Sequence, residues 1–269
     1  MKVGFIGYGN MAGSMLEGLL RTGALSPSDV IVSSRTVSRM LPLADRWPGI
    51  ETTGDNRLAA RKSDLLFICV TSERAREVLD EVRSSLLPSA HVVMINGGVR
   101  ISDLQDHEIR LSKVIPSVTA DVARGVTLMQ HGDNVADDQK ELLERMFAMV
   151  GSVMIIDEDR FEVGTSMTSC GPAFVATFIE QFATAAAARG CYTYDEALSM
   201  VTETVLATAS LISDGGHDPS SICDAVATKG GITEKGLEVL RRDLPETFEE
   251  VMDAIVTEHK QVHGHSKES

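Results

Sequence analysis

Short apolar runs and helical stretches alternate along the first half of the chain. The apolar runs predict strands at residues 2–6, 30–32, 65–70, 92–95, 113–115, 126–129 and 153–156. Several of these runs are apolar on both faces, which is typical of parallel strands covered by helices. Residues 136–150 carry leucines and methionines at helical spacing and should return the chain to the sheet. The pattern predicts a doubly wound α/β domain over residues 1–158.

Strand signals stop after residue 158, and helical signals continue. Helix starts are predicted at Pro172, at the capping-box pattern Thr193-x-x-Glu196, after Asp218-Pro219, at Thr233 and at Pro245. The first two helices are apolar over most of their circumference, so they need burial on several sides. We therefore expect an all-α substrate domain over residues 159–269 whose helices form a homodimer or a higher homo-oligomer.

Composition restricts the possible functions. The chain of 269 residues is long enough for two domains, and 43% hydrophobic with 24% charged residues is typical of a globular protein. A net charge of −14 argues against nucleic acid or an anionic membrane surface as partner. No apolar run reaches the roughly 18 residues of a membrane span, and a strand starting at Lys2 leaves no room for a signal peptide, so we expect a cytoplasmic protein. Its four cysteines lie far apart, which predicts free thiols and no metal site.

The first strand ends in a glycine-bearing turn. The turn reads Gly7-x-Gly9-x-x-Ala12, and a helical apolar pattern follows it directly. Gly7 permits the tight turn, Gly9 lets the backbone approach a pyrophosphate, and the small Ala12 lets the helix pack on the strand. The helix start adds N–H groups and a partial positive charge. We therefore predict a Rossmann dinucleotide-binding domain, with Asn10 and Met11 beside the pyrophosphate and the nicotinamide side.

The end of the second strand indicates which dinucleotide is bound. An acid at this place bonds the ribose hydroxyls of NAD, but this chain has Ser34, Arg35 and Thr36 there. A 2′-phosphate is repelled by an acid and is bound well by a guanidinium. These three residues therefore predict NADPH as cofactor, preferred over NADH. The alternative is that Arg35 is a solvated loop residue.

Other candidate contacts follow the later strands, where doubly wound sheets bind their ligands. Val70 and Thr71 follow one strand, and Asn96 and Gly97 follow the next, where close approach to a nicotinamide requires small residues. Pro116 and Ser117 follow a third strand and complete the same edge.

Three later stretches resemble the pyrroline-5-carboxylate reductase family. They are Val114 to Thr119 followed by Gly125-Val126-Thr127, Thr168-Ser169-Cys170-Gly171-Pro172-Ala173-Phe174, and Val226 to Thr233. The likeness runs from residue 2 to about 260. Where that family usually has Lys-Pro, Asn-Thr-Pro and Ser-Pro-Gly-Gly, this chain has Thr71-Ser72, Ser117-Val118-Thr119 and Thr228-Lys229-Gly230-Gly231. These departures resemble a divergent branch, the reductase-like late-competence proteins.

The resemblance implies an NADPH-dependent reduction of 1-pyrroline-5-carboxylate to proline. It assigns Thr233 to a hydrogen bond with the substrate or its ring nitrogen, and the Gly230-Gly231 backbone to the substrate carboxylate. Ser117, Cys170 and Lys229 are further predicted substrate contacts. Alternatives from the residues alone are an N-cap role for Thr233, a solvent-facing Lys229 and a purely packing role for Cys170.

The available side chains favour imine reduction over alcohol oxidation. The predicted helix from Pro172 to Arg189 contains no lysine to accept an alcohol proton, whereas a protonated imine accepts hydride without a dedicated side-chain acid. Two alternatives stay open: a reductase of another small imine or carbonyl with the same fold, and an NADPH-binding regulatory protein without turnover.

Overall fold

The computed structural model describes residues 1–104 and 109–265, with side chains as far as residue 258. Within these residues the strands are β1 Val3–Ile6, β2 Val30–Ser33, β3 Glu51–Thr53, β4 Leu65–Ile68, β5 His91–Met94, β6 Arg110–Ile115, β7 Gly125–His131 and β8 Gly151–Ile155. The α-helices are α1 Asn10–Arg21, α2 Leu41–Arg46, α3 Asn56–Lys62, α4 Ser72–Val82, α5 Ile101–Leu104, α6 Asp137–Ala148, α7 Phe161–Thr165, α8 Gly171–Ala187, α9 Tyr194–Ser213, α10 Pro219–Val226 and α11 Ile232–His265.

The eight described strands form one sheet in the order β3-β2-β1-β4-β5-β6-β7-β8. All neighbours pair parallel except β6 and β7, which pair antiparallel. The chain therefore moves outward from β1 to one side and then returns to start β4 on the other side. The predicted α/β doubly wound Rossmann sheet is confirmed, and ligands of such sheets bind where the strand order reverses.

Apolar side chains cover both faces of this sheet. One cluster contains Phe5, Phe67 and Phe147, and the Phe5 and Phe67 rings stack with centroids 4.8 Å apart. The other cluster, around Ile68 and Met94, packs under α3 and α4. Strands buried on both faces explain why the apolar runs were continuous rather than alternating.

Alpha-carbon contacts divide the chain into two compact units. The first is residues 1–172 with the end of α11 from Val256, and the second is residues 173–255. The domain division at residue 158 stays a prediction. Residues 161–172 belong to the first unit because Phe161 packs with Ile115, Leu128 and Ile156, and Ser169 donates to the Pro116 carbonyl at 2.7 Å.

The second unit is helical, as expected, and buries little. Its core centres on Ala183, Ala197 and Val201, while the Phe182 side chain is 52% exposed. Other exposed apolar residues of this unit are Val175, Phe178, Met200, Leu206, Leu211, Val239, Leu240 and Phe248. In the described part of the chain, no helix combines the length and the apolar character that a membrane crossing requires.

Of the predicted helix starts, the one at Pro172 is confirmed to within one residue. Helix α8 begins at Gly171, directly after a π-helical turn over residues 166–170, so Pro172 lies in its first turn, where proline is tolerated. The start predicted at Pro245 is wrong. Pro245 lies inside α11 on an exposed position, where solvent can satisfy the carbonyl that loses its donor. The capping box of α9 is confirmed, since Thr193 N donates to Glu196 Oε2 at 2.8 Å and Glu196 N donates to Thr193 Oγ1 at 3.3 Å.

Candidate active site

The turn between β1 and α1 has the geometry predicted for a phosphate cradle. Gly7 has φ +96° and its N–H donates to the Ser33 carbonyl at 2.8 Å. A Cβ on Gly7 would lie 2.4 Å from the Cys69 carbonyl oxygen, so only glycine fits this close approach. A Cβ on Gly9, in contrast, would meet open space. Ala12 is buried between helix and sheet, as the motif requires.

The start of α1 fits an anion. Gly9 is its N-cap and provides no side-chain cap, and the first turn contains no acidic residue. The first N–H groups of a helix have no partner within it, so they remain available to a pyrophosphate. Asn10 is exposed at this position, while Met11 is half-buried against the core.

The end of β2 carries the residues predicted to select NADPH. Ser33 is buried and donates to Asn56 Oδ1 at 2.7 Å, and Ser34 N donates to the Thr53 carbonyl. Arg35 and Thr36 follow as exposed residues. The strand pairing of β2 with β3 therefore fixes the loop backbone and leaves the Arg35 side chain in solvent.

The carboxyl ends of β4, β5 and β6 meet at the same edge because these strands are parallel. Strand β4 ends at Ile68, so Val70 lies in the following loop and Thr71 is the N-cap of α4. Ile95 N donates to the Ile68 carbonyl at 3.0 Å, which places Asn96 and Gly97 just beyond the ladder. Both side-chain amide atoms of Asn96 are buried and have no hydrogen-bond partner among the described residues.

A buried ion pair that sequence reasoning missed fixes this loop. Lys113 on β6 is 1% exposed, and its Nζ lies 2.8 Å from Glu158 Oε1 and 3.3 Å from the Gly97 carbonyl oxygen. Burial lowers the pKa of Lys113, and Glu158 opposes this shift. Glu158 Oε2 accepts from Ile101 N at 3.2 Å. The pair therefore connects the loop over 97–101 to β6 and to the segment before α7. The signal in the sequence was a lysine directly before the apolar pair Val114-Ile115 of a predicted strand.

Pro116 and Ser117 follow β6 and are both buried. The Ser117 hydroxyl accepts from Thr119 Oγ1 at 2.9 Å and caps the turn over 118–122. Cys170 is half-buried at the end of the π-helical turn, directly before α8 begins at Gly171. The substrate contacts assigned to Ser117 and Cys170 stay predictions.

The second glycine turn, in the helical unit, is occupied by its own chain. Gly230 N donates to Glu234 Oε2 at 2.6 Å, and Gly231 N donates to the Thr228 carbonyl at 2.8 Å. Lys229 is exposed. The N-cap interpretation of Thr233 is wrong, because α11 begins at Ile232 and Thr233 is its second residue. The carboxylate of Glu234 lies where the substrate carboxylate was predicted, a feature that the sequence analysis missed.

Within the described ranges, no group of three His, Cys, Asp or Glu residues could hold a metal ion. All four cysteines are free thiols.

Comparison with known proteins tests this assignment. Residues 158–262 match the family model for pyrroline-5-carboxylate reductase dimerisation, and residues 2–97 match that for coenzyme F420-dependent NADP oxidoreductases. A pyrroline-5-carboxylate reductase of Methanobrevibacter smithii is 28% identical and aligns over 89% of this chain and 97% of its own. These findings support a member of the pyrroline-5-carboxylate reductase family. The resemblance inferred from the motifs is thereby confirmed.

Two further comparisons extend this picture. ComE operon protein 4 of Bacillus subtilis is 25% identical over 93% of this chain and 92% of its own. The crystal structure of a Plasmodium falciparum pyrroline carboxylate reductase with NADP bound has a TM-score of 0.88 and covers 98% of both chains at 21% identity, which shows that the fold is shared.

Proposed function

We propose that this protein reduces 1-pyrroline-5-carboxylate to proline with NADPH. The observation that carries the proposal is the turn at Gly7 and Gly9, which opens onto an uncapped helix start in a chain of the pyrroline-5-carboxylate reductase family. The related proteins named as pyrroline-5-carboxylate reductases support this substrate.

The residues fit the cofactor in three respects. The N–H groups at the start of α1 would hold the pyrophosphate, the space beside Gly9 admits it, and Arg35 would bind the 2′-phosphate. When bound, NADPH supplies the hydride. The loop at Asn96 and Gly97 and the buried Pro116 would then form the wall against the nicotinamide.

The chain's own chemical task is orientation. A protonated imine is already electrophilic, so the site must align it, hold it by hydrogen bonds and exclude water. Thr233, at the second position of α11, is proposed to hydrogen-bond the substrate or its ring nitrogen, with Lys229 and the Gly230-Gly231 backbone beside the carboxylate. The imine carbon accepts the hydride and the nitrogen keeps its proton, so the products are a secondary amine and the oxidised cofactor.

One observation favours a second candidate function. Because Glu234 already accepts the Gly230 N–H, a substrate carboxylate must displace it or bind beside its negative charge. A reductase for a cyclic imine without a carboxylate would avoid this conflict. A steady-state assay with NADPH and both imines distinguishes the two: turnover of 1-pyrroline-5-carboxylate supports the first function, and turnover of 1-pyrroline alone supports the second. Binding of NADPH without turnover of either imine would contradict both.

Preference for NADPH over NADH is part of the proposal. It is supported by the absence of an acid at residues 34–36 and by the exposed Arg35. We expect Arg35→Asp to lower the affinity for NADPH at least tenfold and to leave the affinity for NADH nearly unchanged, because a carboxylate repels only the 2′-phosphate. Calorimetric titration of both cofactors checks this, and an unchanged ratio of affinities would contradict the assignment.

We also propose a cytoplasmic homo-oligomer. The match to a dimerisation domain and the exposed Phe178 and Phe182 side chains support the oligomer. The four free thiols are those expected in a reducing compartment.

A further inference from the structure

The loop after β5 contains an asparagine whose amide is buried without a partner. Neither Nδ2 nor Oδ1 of Asn96 has a hydrogen-bond partner in the described structure. Burying an amide in this way costs free energy unless a ligand completes its hydrogen bonds. Asn96 also lies in the loop predicted from sequence to approach the nicotinamide, where only the small size of the residues was considered.

Sheet geometry places this amide at a suitable distance from the phosphate cradle. Ile6, Ile68 and Met94 are aligned across β1, β4 and β5, so Gly7, Cys69 and Ile95 form the next level and Asn96 lies one residue further. Two strand spacings correspond to about 10 Å. A nicotinamide riboside extending from a pyrophosphate at Gly9 has a comparable length.

The loop is held in place by groups other than Asn96. Lys113 Nζ donates to the Gly97 carbonyl, and Glu158 accepts from Ile101 N. These contacts fix the backbone on the carboxyl side of Asn96, while the pairing of Ile95 with Ile68 fixes its amino side. The backbone that carries Asn96 is therefore held in position before any ligand arrives.

We infer that the Asn96 side-chain amide is a specificity-determining group that binds the carboxamide of the nicotinamide ring. This inference rests on the proposed use of NADPH. A carboxamide has one acceptor and two donors, so it satisfies both Oδ1 and Nδ2 through a pair of hydrogen bonds. A substrate carboxylate would satisfy Nδ2 alone and would leave Oδ1 without a donor. The complementary chemistry therefore favours the cofactor over the substrate.

The test compares ligands that differ only in the nicotinamide part. Calorimetry measures the dissociation constants of wild-type protein and Asn96→Ala for NADPH and for 2′-phospho-ADP-ribose, which lacks the nicotinamide. We expect Asn96→Ala to weaken NADPH binding about tenfold, as for the loss of one to two neutral hydrogen bonds. The dissociation constant for 2′-phospho-ADP-ribose should stay within about twofold of the wild-type value. Reduced 3-acetylpyridine adenine dinucleotide phosphate keeps the carbonyl and lacks the NH₂ group. The substitution should weaken the binding of this analogue less than the binding of NADPH.

Thr127→Val provides the matched control. The Thr127 hydroxyl is also buried without a partner in the described structure, but it lies within β7. This variant should bind both NADPH and 2′-phospho-ADP-ribose like the wild type. Equal weakening of the two ligands by Asn96→Ala, or weakening of neither, would overturn the inference while leaving the proposed function intact. Failure of wild-type protein to bind either ligand would overturn both.

Discussion

The two compact units differ in where they place polar and apolar groups. The first unit buries charged and polar side chains inside an apolar sheet, including Lys113, His91 and Ser112. The second unit has a small core and leaves aromatic side chains such as Phe178 and Phe182 exposed. Buried polar groups that are hydrogen-bonded give the first unit a rigid interior, whereas we expect the exposed apolar helices of the second unit to pack against a further protein surface.

The two glycine turns show the same difference on a smaller scale. Both precede a helix, and in sequence both look suited to an anion. The turn before α1 has open space at Gly9 and no acid in the following helical turn. The turn before α11 has the Gly230 N–H bonded to Glu234. We therefore expect a glycine-rich turn to bind an anion only where no neighbouring carboxylate occupies it.

The largest expected effect concerns the buried ion pair of the first unit. Glu158→Ala should lower the free energy of unfolding by about 3–5 kcal/mol, because it leaves the Lys113 charge buried without a partner. Lys113→Met should cost less, since Glu158 is 21% exposed and can be solvated, and since methionine can still contact the Phe161 ring. Urea unfolding of both variants measures the difference. Equal losses of unfolding free energy in the two variants would show that the deeper burial of Lys113 does not determine the cost of breaking the ion pair.

The next effect separates the two glycine turns. We expect Gly9→Ala to weaken NADPH binding about 100-fold with little change in stability, because the new methyl group enters the space for the pyrophosphate without touching the protein. Gly230→Ala is the matched control: its added Cβ also meets open space, and its φ of +74° makes it mildly strained. Its NADPH affinity should be that of the wild type. Calorimetry together with thermal unfolding measures both quantities, and equal NADPH affinities for the two variants would contradict the assignment.

A third prediction concerns pH and the polar groups inside the sheet. Ser112 Oγ lies 2.7 Å from His91 Nε2 and 2.8 Å from His131 Nδ1. Burial, with repulsion from His131 and Arg110, lowers the pKa of His91 to about 3.

An unfolded chain therefore binds a proton at His91 near pH 6.5, while the folded chain does not. Stability should fall as the pH drops from 6.5 towards 3, by about 1.4 kcal/mol per pH unit from this residue. His91→Gln should have a shallower slope between pH 6.5 and 5 in urea unfolding. An unchanged slope would show that other groups cause the acid sensitivity.

The smallest effect concerns the second unit. Glu234→Gln removes a negative charge beside the proposed substrate carboxylate and keeps an acceptor for the Gly230 N–H. We expect the KM for 1-pyrroline-5-carboxylate to fall about threefold while kcat changes little, as for an exposed charge pair worth less than about 1 kcal/mol. The KM for 1-pyrroline, which has no carboxylate, should stay unchanged and serves as control. Equal shifts for both imines would contradict a charge effect.

Local signals explain what could be predicted from the sequence. Seven of the eight described strands, the turn at Gly7 and the capping box at Thr193 depend on residues close in the chain, and each was predicted. The short strand β3, Glu51–Thr53, was missed because it has few apolar residues and is defined by its pairing with β2. Pro245 was wrongly interpreted as a helix start, because solvent exposure allows a proline inside a helix.

Contacts across the sequence explain what was missed in the site. Lys113 and Glu158 are far apart in the chain, and only the fold brings them together at Gly97. The role of Glu234 depends on the conformation of the preceding glycine turn. Sequence patterns predict which segments approach the cofactor, but the partners that fix or occupy those segments required the structure.

Isotope transfer tests the central claim most directly. The protein is incubated with 1-pyrroline-5-carboxylate and NADPH that carries deuterium in both hydrogens at C4 of the nicotinamide ring, and the product is analysed by mass spectrometry and NMR. The account predicts proline with one deuterium on the carbon that formed the C=N bond. Consumption of NADPH with proline free of deuterium, or binding of both ligands with no proline formed, would contradict it.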